Sequence, residues 1–219
     1  MCTNYRPTST EDIIEHFGVR VASDASWPSE AYKDYLAPII RHDAGGGRVA
    51  DLAGFGFVPR RHIPPHVKKW DTMNAKSETI GELRSFGKYW KAGQLCLVPM
   101  VGFYEYFYGD SGTEKPVRWR IGMADDAPFA VAGMWREWTE QDGSKTLAMT
   151  QITIDTTEHP LMRRFHRKED PKRAIVIIPR EEYDDWLACH DPEKARSFLR
   201  NYPAELMKAW PEPKPPRMP

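Results

Sequence analysis

LCLVP at 95–99 and GFYEYFY at 102–108 open a series of short apolar runs that continues with VRWRIG at 117–122, FAVAGMW at 129–135, LAMTQITI at 147–154 and AIVII at 174–178. Each has the length of a strand and is rich in β-branched and aromatic residues, and turn-forming residues separate most of them. Strands outnumber helices, with no regular alternation of strand and helix. The pattern predicts an α+β domain: a mostly antiparallel sheet or open barrel with flanking helices, folded as a single domain.

Outward from these runs, Ser9 and Thr10 precede EDIIEHFG, where Ile13, Ile14 and Phe17 share a helical face and Gly18 suits the exit. The segment SETIGELRSFGKYWKAG at 77–93 places Ile80, Leu83, Phe86 and Trp90 at helical spacing, which predicts a helix capped by Ser77 and stopped at Gly93. PREEYDDWLACH and PEKARSFLRN, each opening on a proline, read as two further helices. Six of the 19 prolines fall in the last 17 residues, so a domain over 1–202 is expected to be followed by an extended Pro-rich tail over 203–219.

Lys+Arg and Asp+Glu are both 31, so any polyanion must meet a local basic patch rather than a globally basic protein. Cys2, Cys96 and Cys189 form neither a disulfide framework nor a metal-ligand spacing. His62 and His66 are four apart, but Pro64 and Pro65 forbid the helix that would align them on a metal. No metal and no cofactor are expected. The start MCTNYRPTSTEDII lacks a basic region followed by an apolar run, and no segment has the roughly eighteen apolar residues of a membrane span. The expectation is a cytoplasmic protein without a membrane association.

Cys2 follows Met1 directly, and removal of that methionine would put a free α-amine and a thiol on one residue. The amine can condense with an aldehyde to an imine, and the thiol can then add to the same carbon to close a thiazolidine. Reference pKa values of about 7.7–8.0 and about 8.5 leave both groups reactive near neutrality. In GFYEYFY, Phe103, Glu105 and Phe107 share one strand face and Tyr104 and Tyr106 the other. If the first face is interior, desolvation raises the Glu105 pKa and makes it a proton donor or acceptor; if exterior, Glu105 is an ordinary solvated carboxylate. Asn74 sits just before the expected Ser77 cap, where an asparagine either bonds its own backbone or offers its amide to an amine or a sugar oxygen. His166 lies in RRFHRKEDPKRAIVII, either as an acid or base among phosphate-binding cations or within a solvated charged loop. PRRHIPPHVKKW joins Arg60, Arg61, Lys68 and Lys69 to Trp70, the cation-plus-aromatic combination that single-stranded nucleic acid uses.

Met1-Cys2, FGFVP at 55–59, NAKSET at 74–79, LVPMVGFYEY at 97–106, AGMW at 132–135, TIDTT at 153–157 and His166 before KRAIVIIP form an ordered series. The series resembles the SRAP family, named from "SOS response-associated peptidase", whose members shield abasic sites in single-stranded DNA. The resemblance runs from about residue 1 to 190. It implies an abasic-site sensor in which Cys2 forms a thiazolidine crosslink with the ring-opened deoxyribose. Asn74 would position the amine or sugar oxygen, Glu105 would shuttle protons, and His166 would help open the sugar and assist strand cleavage by β-elimination. Lys76 replaces the arginine of the asparagine motif, and Arg173 is the counterpart of the arginine that follows the family histidine. The family's usual Cys-Gly-Arg start is Cys2-Thr3-Asn4 here, so that arginine's phosphate contact passes to Arg6 or is lost. Arg6, Trp70, Lys76, Arg167, Lys168 and Arg173 are the candidate DNA contacts, single-stranded DNA with abasic sites is the expected partner, no obligate protein partner is inferred, and DNA-bound protein would be nucleoid-associated. Two alternatives stand beside this reading. In the first, an N-terminal nucleophile hydrolase (an amidase or peptidase), the Cys2 thiolate attacks an amide; the second is a noncatalytic single-strand binding module.

Overall fold

The computed structural model describes residues 2–67 and 70–214; Met1, Lys68, Lys69 and the last five residues of the expected tail, 215–219, lie outside the described residues. Strand β1 (Tyr5–Pro7) leads into helix α1 (Thr10–Phe17), where the Ser9 hydroxyl accepts the Asp12 N–H and Gly18, at φ 68°, closes the other end. This is the capped helix expected from its sequence, with Ile13 and Phe17 buried, but Ile14, expected on the same face, is exposed. Strands β2 (Leu36–His42) and β3 (Arg48–Phe55) form a hairpin across the Gly-rich turn at 44–47. The short β4 (Asn74–Lys76) and helix α2 (Gly87–Lys91) precede the long β5 (Leu95–Phe107). Then come β6 (Val117–Met123), β7 (Phe129–Thr139), β8 (Lys145–Asp155), β9 (Arg173–Ile175) and β10 (Ile177–Ile178). Helices α3 (Tyr183–Leu187) and α4 (Pro192–Ser197) and strand β11 (Met207–Pro211) complete the order.

The expected sheet is present, mostly antiparallel and barrel-like. Strands β7, β8, β3, β2 and β5 are hydrogen-bonded in that order, and β5 also pairs with β7, so the path closes on itself. Closure removes edges that would otherwise be left unpaired. Among the described residues the only parallel pairings are those of β3 and β4 with β8. The two runs 95–99 and 102–108 are one continuous strand that carries β1 across an irregular register between Arg6 and Pro7.

Two expectations change. The helix expected from Ser77 is confined to Gly87–Lys91, because Ser77 N–H continues the sheet by donating to Thr153 O and the chain then folds tightly on itself. A Cβ on Gly87 would come within 2.6 Å of Gly81 O, and Leu83 is left exposed while Ile80, Phe86 and Trp90 pack inward. Part of the stretch assigned on composition to the tail is strand β11, which pairs with β6 from Met207↔Met123 to Pro211↔Trp119. Its prolines sit before or at the end of an edge strand, where no ladder N–H is needed.

Two buried clusters pack on the sheet. One joins Ile13, Phe17, Trp90, Ile152 and Trp186; the other joins Cys2, Tyr5, Met149, Phe103 and Phe165. Alternation along β8 sends Ile152 and Ile154 to the first and Met149 to the second. The second cluster surrounds the candidate site.

Candidate active site

Pairing of β1 with β5 places the start of the chain. Tyr5 lies opposite Phe103, and Tyr104 donates its N–H to Asn4 O at 3.1 Å, so the antiparallel path toward residue 2 runs alongside Glu105. Cys2 is fully buried, and its thiol donates to Asn4 O at 3.4 Å. From β4, Asn74 donates its side-chain N–H to Cys2 O at 2.7 Å. Asn74 is therefore not in a turn before a helix. It is a strand residue opposite Gln151 of β8, aimed at the same face as Cys2.

The interior alternative holds for Glu105. It is 4% exposed, between the buried Phe103 and the half-buried Phe107 on its own face. Burial pushes its carboxyl above the usual value of 4.5, and the neighbouring His166 pulls the other way. Burial, and then the Glu105 carboxylate, push the Cys2 thiol up to about 12. Near neutrality the site holds a thiol, not a thiolate.

His166 follows a bridge between Phe165 and Phe107 and donates its N–H to Tyr106 O at 3.1 Å, with a left-handed φ of 69°. That backbone, uncommon for a residue with a side chain, turns the ring back onto the site. Its Nε2 lies 2.9 Å from Arg173 O, an oxygen that can only accept, so Nε2 carries a hydrogen. Its Nδ1 faces Glu105 Oε2 at 3.3 Å. That separation is short enough for a proton to pass between the two side chains inside the pocket.

An open pocket of about 300 Å³ reaches His166 from outside, lined by Phe107, the turn at 109–112, Arg163, Arg164, Lys168 and Lys172. Arg167 and Lys168 are exposed beside it, Lys76 is exposed two residues beyond Asn74, and Arg6 is half-buried in β1. Trp70 is 39% exposed, available for stacking. Arg173 is different: it is buried, with two bonds to the Glu78 carboxylate and others to Thr153 O and Oγ1. Its fork is occupied, so a structural tie replaces the phosphate contact assigned to it. Arg60 and Arg61 pair with Asp34 and Glu140, and His62 stacks on Trp138 at 4.1 Å.

Gln151 and Arg118 escaped the sequence reading. Gln151 is fully buried beside Asn74, with neither amide atom hydrogen-bonded among the described residues, and Arg118 is tied to Asn4. A polar residue inside the apolar run LAMTQITI was the available signal for Gln151; nothing local marks Arg118. Among the described residues there is no group of three or more His, Cys, Asp or Glu able to hold a metal, and no helix long and apolar enough to cross a membrane.

The protein family described as SOS response associated peptidase (SRAP) matches residues 1–214. The chain is 32% identical over 213 residues to the abasic site processing protein YobE of Bacillus subtilis, covering 91% of this chain and 88% of that one. It is 29% identical to the abasic site processing protein YoaM of the same organism, covering 96% and 90%. A solved structure from Bordetella bronchiseptica superposes with a TM-score of 0.84 at 29% identity, covering 96% of this chain and 99% of that one. A second, from Bacteroides thetaiotaomicron, has a TM-score of 0.76 at 19% identity, covering 96% and 91%, and shares the fold.

Proposed function

The chain belongs to the SOS response associated peptidase (SRAP) family, and from that premise we propose that it processes abasic sites in DNA by capturing them covalently through Cys2. The observation that carries this reading is the meeting of Cys2, tethered by Asn74, with the adjacent buried Glu105 and His166.

Loss of Met1 turns the Cys2 nitrogen from an amide into an amine. An abasic deoxyribose opens to an aldehyde when a proton leaves its C1 hydroxyl and another reaches the ring oxygen, a transfer suited to His166. The amine attacks the aldehyde carbon, and the carbinolamine loses its hydroxyl as water after taking a proton from the Glu105 side of the pair. The thiol then adds to the imine carbon, its proton passing to the nitrogen by way of Glu105. One C–N and one C–S bond form, and one water leaves. Holding amine, thiol and aldehyde together supplies much of the rate. Strand cleavage by β-elimination from the imine would draw on the same base.

Single-stranded DNA fits best, since the aldehyde must reach a recessed residue. Trp70 offers a stacking face, and Lys76, Arg167, Lys168 and Arg6 offer charge for phosphates. The hydrolase alternative also uses Cys2 as nucleophile; the family match over residues 1–214 and the relatives named abasic site processing proteins support crosslinking over it.

The test is incubation with single-stranded DNA bearing one abasic site, followed by denaturation. A retained adduct in the wild type and none in Cys2→Ala is the expected result, with intact mass showing loss of Met1. Amide turnover without an adduct would favour the hydrolase, and salt-sensitive binding indifferent to Cys2→Ala would favour a plain binding module.

A further inference from the structure

Arg118 stands on β6 opposite Tyr106, on the face of the sheet turned away from Glu105. Its side chain is 5% exposed, with the guanidinium carbon 3.4 Å from the Tyr104 ring centroid. One nitrogen, Nη2, donates both to Asn4 Oδ1 at 2.6 Å and to Glu30 Oε2 at 2.8 Å. The Tyr32 hydroxyl also donates to Glu30 Oε2, at 2.7 Å, and the Tyr104 hydroxyl donates to Glu212 at 2.6 Å. The cation is therefore neutralised, stacked and fixed before it reaches Asn4.

Asn4 passes that order to Cys2. Its side-chain N–H donates to Ala31 O at 3.2 Å, and its own carbonyl accepts both the Tyr104 N–H and the Cys2 thiol. A charge-assisted bond to a buried acceptor is shorter and stronger than a neutral one. Nothing else bonds Asn4 Oδ1 among the contacts of the described residues.

We infer that Arg118 is a positioning residue for the Cys2 reaction, acting through Asn4 from the opposite face of the sheet to set where the thiol stands against Glu105. The inference rests on the crosslinking reading above. Arg118 is buried on the face turned away from Glu105, so its loss is expected to change the rate of the chemical step and not the affinity for the strand. Misplacement of a reacting group by about an ångström costs on the order of 10²-fold in rate.

Arg118→Met, Arg118→Lys, Asn4→Ala and the double variant Asn4→Ala/Arg118→Met are compared by single-turnover crosslinking at saturating abasic DNA, and by affinity for undamaged single-stranded DNA. Arg118→Met and Asn4→Ala are each expected to slow crosslinking by about tenfold or more, with affinity within about twofold. The double variant should be no slower than the worse single one, because both act on one contact, and Arg118→Lys should recover part of the rate. Alkylation of Cys2 by a maleimide, followed by peptide mass, gives a DNA-free reading. It should quicken in the variants while Cys96 and Cys189 keep their wild-type rates. Unchanged crosslinking and unchanged Cys2 alkylation would overturn the inference, as would losses that multiply in the double variant. Should Arg118→Met fail to fold, Asn4→Ala decides alone, and there a parallel rise at all three cysteines counts against the proposal. A wild-type protein that forms no adduct would defeat the crosslinking reading, while the alkylation rates would still judge Arg118.

Discussion

At the residue scale the site is governed by burial. Glu105 holds its proton more tightly in the folded chain than in the unfolded one, where the ordinary value of 4.5 applies. Above 4.5 the unfolded state ionises first, so the folded state binds more protons and stability falls as pH rises toward the folded-state value. Glu105→Gln removes that slope while keeping the shape. The melting temperature of Glu105→Gln relative to wild type is expected to climb from pH 4.5 upward, and a constant difference would show that Glu105 is not desolvated. The same variant should slow crosslinking by about 10²-fold or more, since general acid–base catalysis contributes about 10²–10⁴-fold. The Cys2 thiol, at about 12, makes that dependence stronger: a thiol must give up its proton as it adds to the imine, and Glu105 is the neighbouring base.

At the element scale, β8 carries a polar misfit. Gln151 lies between Asn74 on β4 and Gly133 on β7, fully buried, with neither amide atom bonded among the described residues. A buried unsatisfied amide costs about 1–3 kcal/mol. Gln151→Leu is accordingly expected to stabilise the protein by about 1 kcal/mol in denaturant unfolding, and a clear loss of stability would mean that the amide is bonded in solution. How legible an element was depended on how local its signals are. Helix α1 could be read because Ser9, the Ile13 and Phe17 spacing and Gly18 all lie within ten residues or so of one another. The segment 77–93 could not, because its apolar spacing suits either a helix or a folded-back turn. The choice fell to the close approach of Gly81 and Gly87 and to a hydrogen bond from Ser77 to β8.

For the whole molecule, zero net charge means that DNA binding depends on where the cations collect. Each single-strand phosphate contact contributes about 0.7 to the slope of log affinity against log salt, so Arg167→Ala/Lys168→Ala is expected to lower the slope by about 1.4 with the saturated crosslinking rate preserved. An unchanged slope would place the strand elsewhere. Arg173→Ala should instead lower the melting temperature, because it removes a buried side chain together with its bonds to Glu78, Thr153 O and Thr153 Oγ1. The sequence by itself determined the strand content, the α+β class, the shared face of Phe103, Glu105 and Phe107, and the chemistry open to an amine and thiol on Cys2. Alternation tells which residues lie together but not which side is covered. That Glu105 faces inward, that Asn74 reaches Cys2 across 72 residues and that Arg118 reaches Asn4 across 114 were decided by the tertiary structure alone. Strand pairing sets those contacts, and pairing between distant segments leaves no mark in the local period of either.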